Sequence, residues 1–244
     1  SDDFFTWSAL PQRVAIVGGG YIGVELAGLL QALGSQVHLL VRGASLLHGF
    51  DAELVAELQA QMRAQGISIH TGAKLQGLGG GPGKLLLQGD GDLPGGSFDV
   101  VIAATGRQAN TDGIGLDQAG VECNEKGQVC TDTDTLATSA PRIWAVGDVT
   151  GQLALTPVAV AQGRRLADQL FGAGAGAAAA PELELVPSVV FSHPPLGKVG
   201  LDEAQARQRH EQVRVYRSSF VPMAESVAGG QHRSLFKLVC AGSE

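Results

Sequence analysis

Three glycines, Gly18, Gly20 and Gly23, stand at G-x-G-x-x-G spacing between an apolar β-branched run, Val14 to Val17, and an amphipathic stretch, Val24 to Leu33, that stops at Gly34. Residues of this type at this spacing bind phosphate. Gly18 permits a tight turn, Gly20 lets backbone approach a pyrophosphate, and Gly23 lets helix and strand pack closely, with the phosphates on the helix N-terminus. Strand, loop, helix and second strand follow in the order that this chemistry needs, so the chain is read as dinucleotide-binding.

A second position selects the nucleotide. Domains that take NAD place an acid at the end of the second strand, about 20 residues past the glycines, to receive the ribose hydroxyls. Here Val41 stands at that point and Arg42 follows. A 2′-phosphate would be attracted by the guanidinium and repelled by no carboxylate, which favours NADPH. The plainer reading of Arg42 is a solvated surface arginine. The other informative group is Asp148, which follows the apolar run Ile143-Trp144-Ala145-Val146 and Gly147. It falls at the carboxyl end of an expected buried strand and before a helix, where α/β sheets place ligands. A turn residue satisfying nearby backbone N–H groups explains it as well, and the residue alone leaves both readings open. The spacing of Cys123, Cys130 and Cys240 matches neither a C-x-x-C redox pair nor a zinc site. They are read as small half-buried thiols in strands. No His/Cys cluster has metal-ligand spacing, so no metal is expected.

These residues need elements to hold them. Gln36 to Val41 is a second strand, Asp51 caps a helix in which Leu54, Val55, Leu58 and Met62 recur, and Ile67 to His70 is a third strand. Strand–helix–strand–helix–strand implies a parallel sheet. From Lys74 to Gly96, short apolar runs are punctuated by Gly79-Gly80-Gly81-Pro82-Gly83 and Gly89-Asp90-Gly91, which predicts an antiparallel meander turning at those glycines. Phe98 to Ala104 returns as one strand. Thr156 as N-cap and Pro157 at the first helical position open a helix through Val160, Leu166 and Leu170 to Gly172. The tract Gly172 to Ala180, then Pro181, reads as a linker. A β-rich unit follows, with strands at Ser188–Phe191, Val213–Tyr216 and Ser234–Cys240 and a helix near Asp202–Arg209. The expected domains are 1–110, 111–181 and 182–244.

Bulk properties bound the function. With 44% hydrophobic and 17% charged residues, the 244-residue chain can bury a core. A net charge of −7 argues against a nucleic-acid partner. No apolar run approaches the roughly 18 residues that a membrane span needs, so no membrane partner is expected. Ser1 is not methionine, and the strand ending at Cys240 has no later segment to pair with, so the chain is read as a piece of a longer polypeptide.

The chain resembles the pyridine nucleotide–disulfide oxidoreductases. The resemblance rests on Ser1-Asp2-Asp3-Phe4-Phe5, the glycine loop with Tyr21, Ala104-Thr105-Gly106-Arg107 with Asn110-Thr111, Ile143 to Asp148, Leu155-Thr156-Pro157-Val158-Ala159 and Val189 to Pro195. It covers nearly the whole chain in family order and is strongest toward members that act on oxidised glutathione. It implies an α/β fold: a Rossmann-like NADPH-binding domain with an inserted antiparallel meander, a central FAD-contacting unit, and a partial α+β interface domain. The implied enzyme is a cytoplasmic homodimer that maintains cell redox homeostasis. It passes electrons from NADPH through FAD and a cysteine pair to oxidised glutathione. In that frame Gly18, Gly19, Gly20, Ile22, Gly23, Glu25, Arg42, His48 and Gly106 would line the NADPH site, with Ala154 and Val189 nearby. Tyr21 resembles the ring that covers the flavin until nicotinamide displaces it, against the plainer reading of an exposed loop aromatic. Glu25 resembles an acid paired with a lysine near the flavin, although a carboxylate in a first helical turn is also favoured by the helix dipole. Asp148, Leu155 and Thr156 would face FAD. Arg164 resembles the arginine that holds a glutathione carboxylate, its alternative being a helix-surface arginine beside Arg165.

Two departures bear on the nucleotide. His48 stands where a second phosphate-binding arginine is usual, and Gly23 stands where NADPH-using members often have alanine. Because an ordinary histidine titrates at about pH 6.5, NADPH affinity is expected to fall between roughly pH 6 and 8 more steeply than in an arginine-bearing relative. The family's cysteine pair and proton-donating histidine match nothing in this sequence, and His193 is read as a turn residue. The chain alone is therefore expected to bind NADPH without turning over disulfide. The alternatives are another flavoprotein disulfide reductase of the mercuric reductase or lipoamide dehydrogenase type, and a non-catalytic nucleotide-binding or dimerisation module.

Overall fold

Val14, Ala15 and Ile16 are fully buried on both faces of the strand they form, as a central strand covered on both faces requires. Val14 and Ile16 lie in a core with Val24, Leu30 and Leu58, and Ala15 in a second core with Leu40, Phe98, Leu85 and Leu87. The computed structural model describes residues 2–172, 183–230 and 232–242. They fall into two units, Ser1–Gly106 with Pro187–Glu244, and Arg107–Val186.

The first unit opens with β1 (Arg13–Val17), α1 (Tyr21–Ala32), β2 (Gln36–Val41), α2 (Ala52–Ala64) and β3 (Ser68–Thr71). Helix α1 begins at Tyr21, three residues before the amphipathic stretch that marks it in the sequence. Asp51 caps α2 as read, its carboxylate accepting from the Glu53 and Leu54 backbone N–H groups. The meander is β4 (Lys74–Gly81), β5 (Lys84–Asp90) and β6 (Ser97–Phe98), antiparallel throughout. Its glycines are less turn-like than expected: Gly79 to Gly81 belong to β4, and Gly89 pairs within β5 at a register shift. The single strand expected over Phe98–Ala104 is two. β6 ends the meander, and β7 (Val100–Ala103) joins the parallel sheet, whose order is β3-β2-β1-β7. Val14, Ile16, Val24, Leu30, Leu39, Leu58 and Met62 form the core beneath it.

In the second unit the apolar run Ile143–Val146 is not a buried strand. Its residues are half-buried, and Trp144 forms a single antiparallel bridge with Ala137, because only Thr138 and Ala145 extend the pairing by a hydrogen bond each. Helix α3 (Thr156–Phe171) starts one residue earlier than expected, with Leu155 as N-cap and Pro157 inside the first turn. Its buried face is Val158, Gln162 and Arg165, while Val160 and Leu170 are exposed. The linker expected from Gly172 to Pro181 lies, beyond Gly172, outside the described residues. Cys123 and Cys130 are exposed, not half-buried in strands; only Cys240 fits that description.

Residues 187–244 return to the first unit as β8 (Ser188–Val190), β9 (Leu196–Lys198), α4 (Glu203–Arg209), β10 (Val213–Phe220), α5 (Met223–Ala228) and β11 (Ser234–Ala241). Asp202 caps α4 in a reciprocal box with Gln205. Strand β11 was expected to lack a partner. It pairs antiparallel with β10 over its full length, because β10 runs four residues past Tyr216.

Candidate nucleotide-binding site

At the carboxyl ends of β1, β2 and β7 the backbone turns around a cavity of about 770 Å³. Gly18 adopts φ +127°, and a Cβ there would run into the Ala104 carbonyl oxygen. A Cβ on Gly23 would run into the carbonyl oxygen of Gly18, so α1 and the loop approach as closely as a side chain-free pair allows. Nothing lies within 4 Å of a Cβ built on Gly20, which leaves its surface open to a ligand. Leu47 N donates to Gly19 O (2.8 Å), which fastens the 42–48 loop onto the glycine loop. These features form a cradle for a pyrophosphate.

The lining includes Gly18, Gly19, Gly20, Tyr21, Arg42, His48 and Gly106, all read from the sequence as nucleotide-binding. Tyr21 is the first residue of α1 and half-exposed at the mouth, so it is not a loop aromatic. Arg42 and His48 are exposed to the cavity. Ile22, Gly23 and Glu25 do not line it. Glu25 lies one turn into α1, outside the reach of a first-turn dipole argument, and its carboxylate accepts from Phe191 N (2.9 Å). Val189 lines a separate cavity of about 590 Å³ with Leu54, Lys198 and Leu238. Ser45, Phe50, Lys74, Gln76 and Thr105 line the nucleotide cavity without having been read from the sequence. The residues after β3 had a usable signal, since the carboxyl end of the third parallel strand must border the second.

Among the described residues, no carboxylate lines this cavity, whereas Arg42, His48 and Lys74 do. The residues therefore fit a phosphorylated nucleotide, by shape at the glycine loop and by charge around it.

In the second unit Asp148 is exposed in a short 3₁₀ turn, Gly147–Thr150, instead of ending a strand. The turn is held by Gln162, a residue the sequence did not single out. Its buried amide oxygen accepts from Gly147 N (2.8 Å), and its amide nitrogen donates to Gln152 Oε1 (2.8 Å). No side chain caps the start of α3, so Leu155 and Thr156 present an open helix N-terminus. This arrangement fits a polar cofactor chain beside Asp148. Ala154 and Arg164 are exposed, while the neighbouring Arg165 is buried and donates to the Thr133 and Asp134 carbonyls. No group of three or more His, Cys, Asp or Glu among the described residues could hold a metal. None of their helices is long and apolar enough to cross a membrane.

The parallel sheet, the glycine cradle and the cation-lined cavity define a dinucleotide-binding α/β protein. The chain belongs to the pyridine nucleotide-disulphide oxidoreductase family, which it matches over residues 1–163, and it matches that family's dimerisation domain over 186–244. It is 43% identical over its whole length to a glutathione reductase of Burkholderia cepacia and 38% identical over 99% of its length to one of Schizosaccharomyces pombe, covering 53% of each. It thus spans about half the length of the curated relatives it matches. Among solved structures it resembles the HOCl-induced flavoprotein disulfide reductase RclA from Escherichia coli, with a TM-score of 0.87 at 29% identity, over 98% of this chain and 54% of that one.

Proposed function

We propose that the chain is the nucleotide-binding part of an NADPH- and FAD-dependent reductase of oxidised glutathione that works as a cytoplasmic homodimer. The observation that carries this reading is the cation-bearing cavity at the glycine loop, lined by no carboxylate among the described residues, in a chain 43% identical to a glutathione reductase. When bound, NADPH supplies a hydride and FAD carries its electrons toward a disulfide. The chain's own residues bind and orient. Gly18, Gly19 and Gly20 hold the pyrophosphate, and Gly23 keeps α1 close enough for its N-terminus to face it. Arg42 and His48 hold the 2′-phosphate, and Tyr21 screens the mouth of the cavity. Gly106 completes the lining of the NADPH site. Asp148, Leu155 and Thr156 receive FAD, and Arg164 receives a glutathione carboxylate. In this reading residues 1–110 are the NADPH-binding domain, 111–181 contribute to the FAD site and 182–244 open the interface domain.

Calorimetric titration with NADPH and, separately, NADH near neutral pH tests the reading. NADPH is expected to bind at least about tenfold more tightly, as loss of one charged phosphate contact implies. Equal binding would overturn the NADPH assignment. The chain alone, given NADPH, FAD and oxidised glutathione, is expected not to oxidise NADPH, since Cys123, Cys130 and Cys240 offer no C-x-x-C-type pair.

A further inference from the structure

We propose that Lys74 is a specificity-determining residue for NADPH, a second cation on the 2′-phosphate beside Arg42. The inference rests on the NADPH reading above and names the residue that takes over the charge of a second arginine where the chain has His48.

Backbone geometry places Lys74 there. Ala73 N donates to Val41 O and Gly72 N donates to Gly43 O, each at 3.1 Å, so the segment entering β4 runs alongside the end of β2. Lys74 is the next residue, is exposed, and lines the same cavity as Arg42 and His48. Its cross-strand neighbour in the meander is Asp90, the obvious internal partner for an ammonium group. That carboxylate instead accepts from Gln76 Nε2 (2.6 Å). Among the described residues, the side chains of Arg42, His48 and Lys74 make no hydrogen bond or ion pair, and no carboxylate lines their cavity. The unpaired cations Arg42 and Lys74 repel one another unless an anion joins them. Histidine shares that role only while protonated, whereas lysine keeps its charge through neutral pH. The pair that holds a doubly charged phosphate above neutrality is therefore Arg42 with Lys74.

The test titrates wild type, Lys74→Gln and Lys74→Arg with NADPH, NADH and adenosine 2′,5′-bisphosphate at about pH 8, where an ordinary histidine is neutral. Lys74→Gln is expected to weaken NADPH and the bisphosphate about tenfold, to leave NADH within about twofold, and to be rescued by Lys74→Arg. Equal weakening of NADPH and NADH, or no change in either, would overturn the proposal while wild-type preference for NADPH kept the cofactor reading. A wild type with no preference for NADPH would overturn both. Because Lys74 is exposed, unchanged thermal unfolding of the variants is expected, and it separates a binding effect from a folding one.

Discussion

The first unit holds two clusters of cationic side chains that are built in opposite ways. Around the nucleotide cavity, Arg42, His48 and Lys74 line open space with no carboxylate among the described lining residues. At the foot of α2, Lys237 is only 5% exposed and its ammonium group meets Asp51 (2.8 Å), Glu53 (2.9 Å) and Glu203 (2.8 Å). Arg217 adds a second cation against Glu53 and Glu203. Charge in the second cluster is neutralised internally, and it joins α2 to β10, β11 and α4. Charge in the first is left uncompensated. Cations whose partners come from the fold serve the fold, and cations without such partners are available to a ligand.

Removing Lys237 gives the largest effect that this contrast predicts. Lys237→Met leaves three carboxylates facing one another with only the more exposed Arg217 and Arg207 to offset them, and is expected to lower unfolding free energy by about 3 kcal/mol. Urea denaturation measures this, with nucleotide affinity of the folded variant unchanged. A loss of NADPH binding without a loss of stability would erase the distinction between the clusters. The pH dependence follows the same charges. Lys237, then Arg207, holds the Glu203 carboxyl down at about 2. Burial opposes ionisation of Lys237, yet its bonds to Asp51, Glu203 and Glu53 raise it overall. A carboxylate held low contributes stability above its ordinary range, and that contribution is lost as pH falls toward about 2.

The next effects come from close packing and from a buried histidine. Gly23→Ala would place a methyl group against the Gly18 carbonyl, which must move. The expected cost is about 1–3 kcal/mol of stability, together with weaker NADPH binding, because the pyrophosphate cradle moves with Gly18. An unchanged calorimetric binding constant and unfolding midpoint would show that the loop yields freely. His38 is 7% exposed, lies 3.1 Å from His70 Nε2 and 3.4 Å from the Arg13 guanidinium, and stacks edge-on against Phe98. Burial first, then Arg13 and His70, pull its pKa from 6.5 to about 4. Between those values the unfolded chain binds a proton that the folded chain refuses, so stability falls as pH drops from 6.5 toward 4. The loss attributable to His38 is roughly 3 kcal/mol, and His38→Asn should flatten that stretch of the stability–pH curve.

The sequence made the nucleotide half of the first unit legible because its signals are local. Alternating strand and helix runs, a capping Asp51 and the glycine spacing each act within a dozen residues. What it concealed depends on contacts between distant segments. Lys74 borders Arg42 only because parallel strands β2 and β3 bring their carboxyl ends together. Helix α3 misled for a different reason: its buried face carries Gln162 and Arg165, which bond Gly147 N, the Gln152 side chain and the Thr133 and Asp134 carbonyls, while the apolar Val160 and Leu170 remain exposed. Apolar periodicity cannot reveal a polar buried face. The pairing of β11 was hidden because β10 extends through Arg217, Ser218 and Ser219, residues with little strand character in the sequence.

The smallest effect sharpens the contrast between the clusters. Arg207 lies four residues after Glu203 on α4 and bonds the carboxylate oxygen Oε1 (2.7 Å), while Lys237 and Arg217 meet Oε2. Its side chain is more than half exposed, so solvent and salt screen the pair. Arg207→Gln is therefore expected to cost no more than about 0.5 kcal/mol, and to cost less as salt is raised. Lys237 shares the same carboxylate but is only 5% exposed, so the effect of its removal should depend less on salt. If urea denaturation found the two losses comparable, burial would not be what separates a structural cation from a free one. The exposed, unpaired cations at the nucleotide cavity would then have to be distinguished from Lys237 by their lack of carboxylate partners alone.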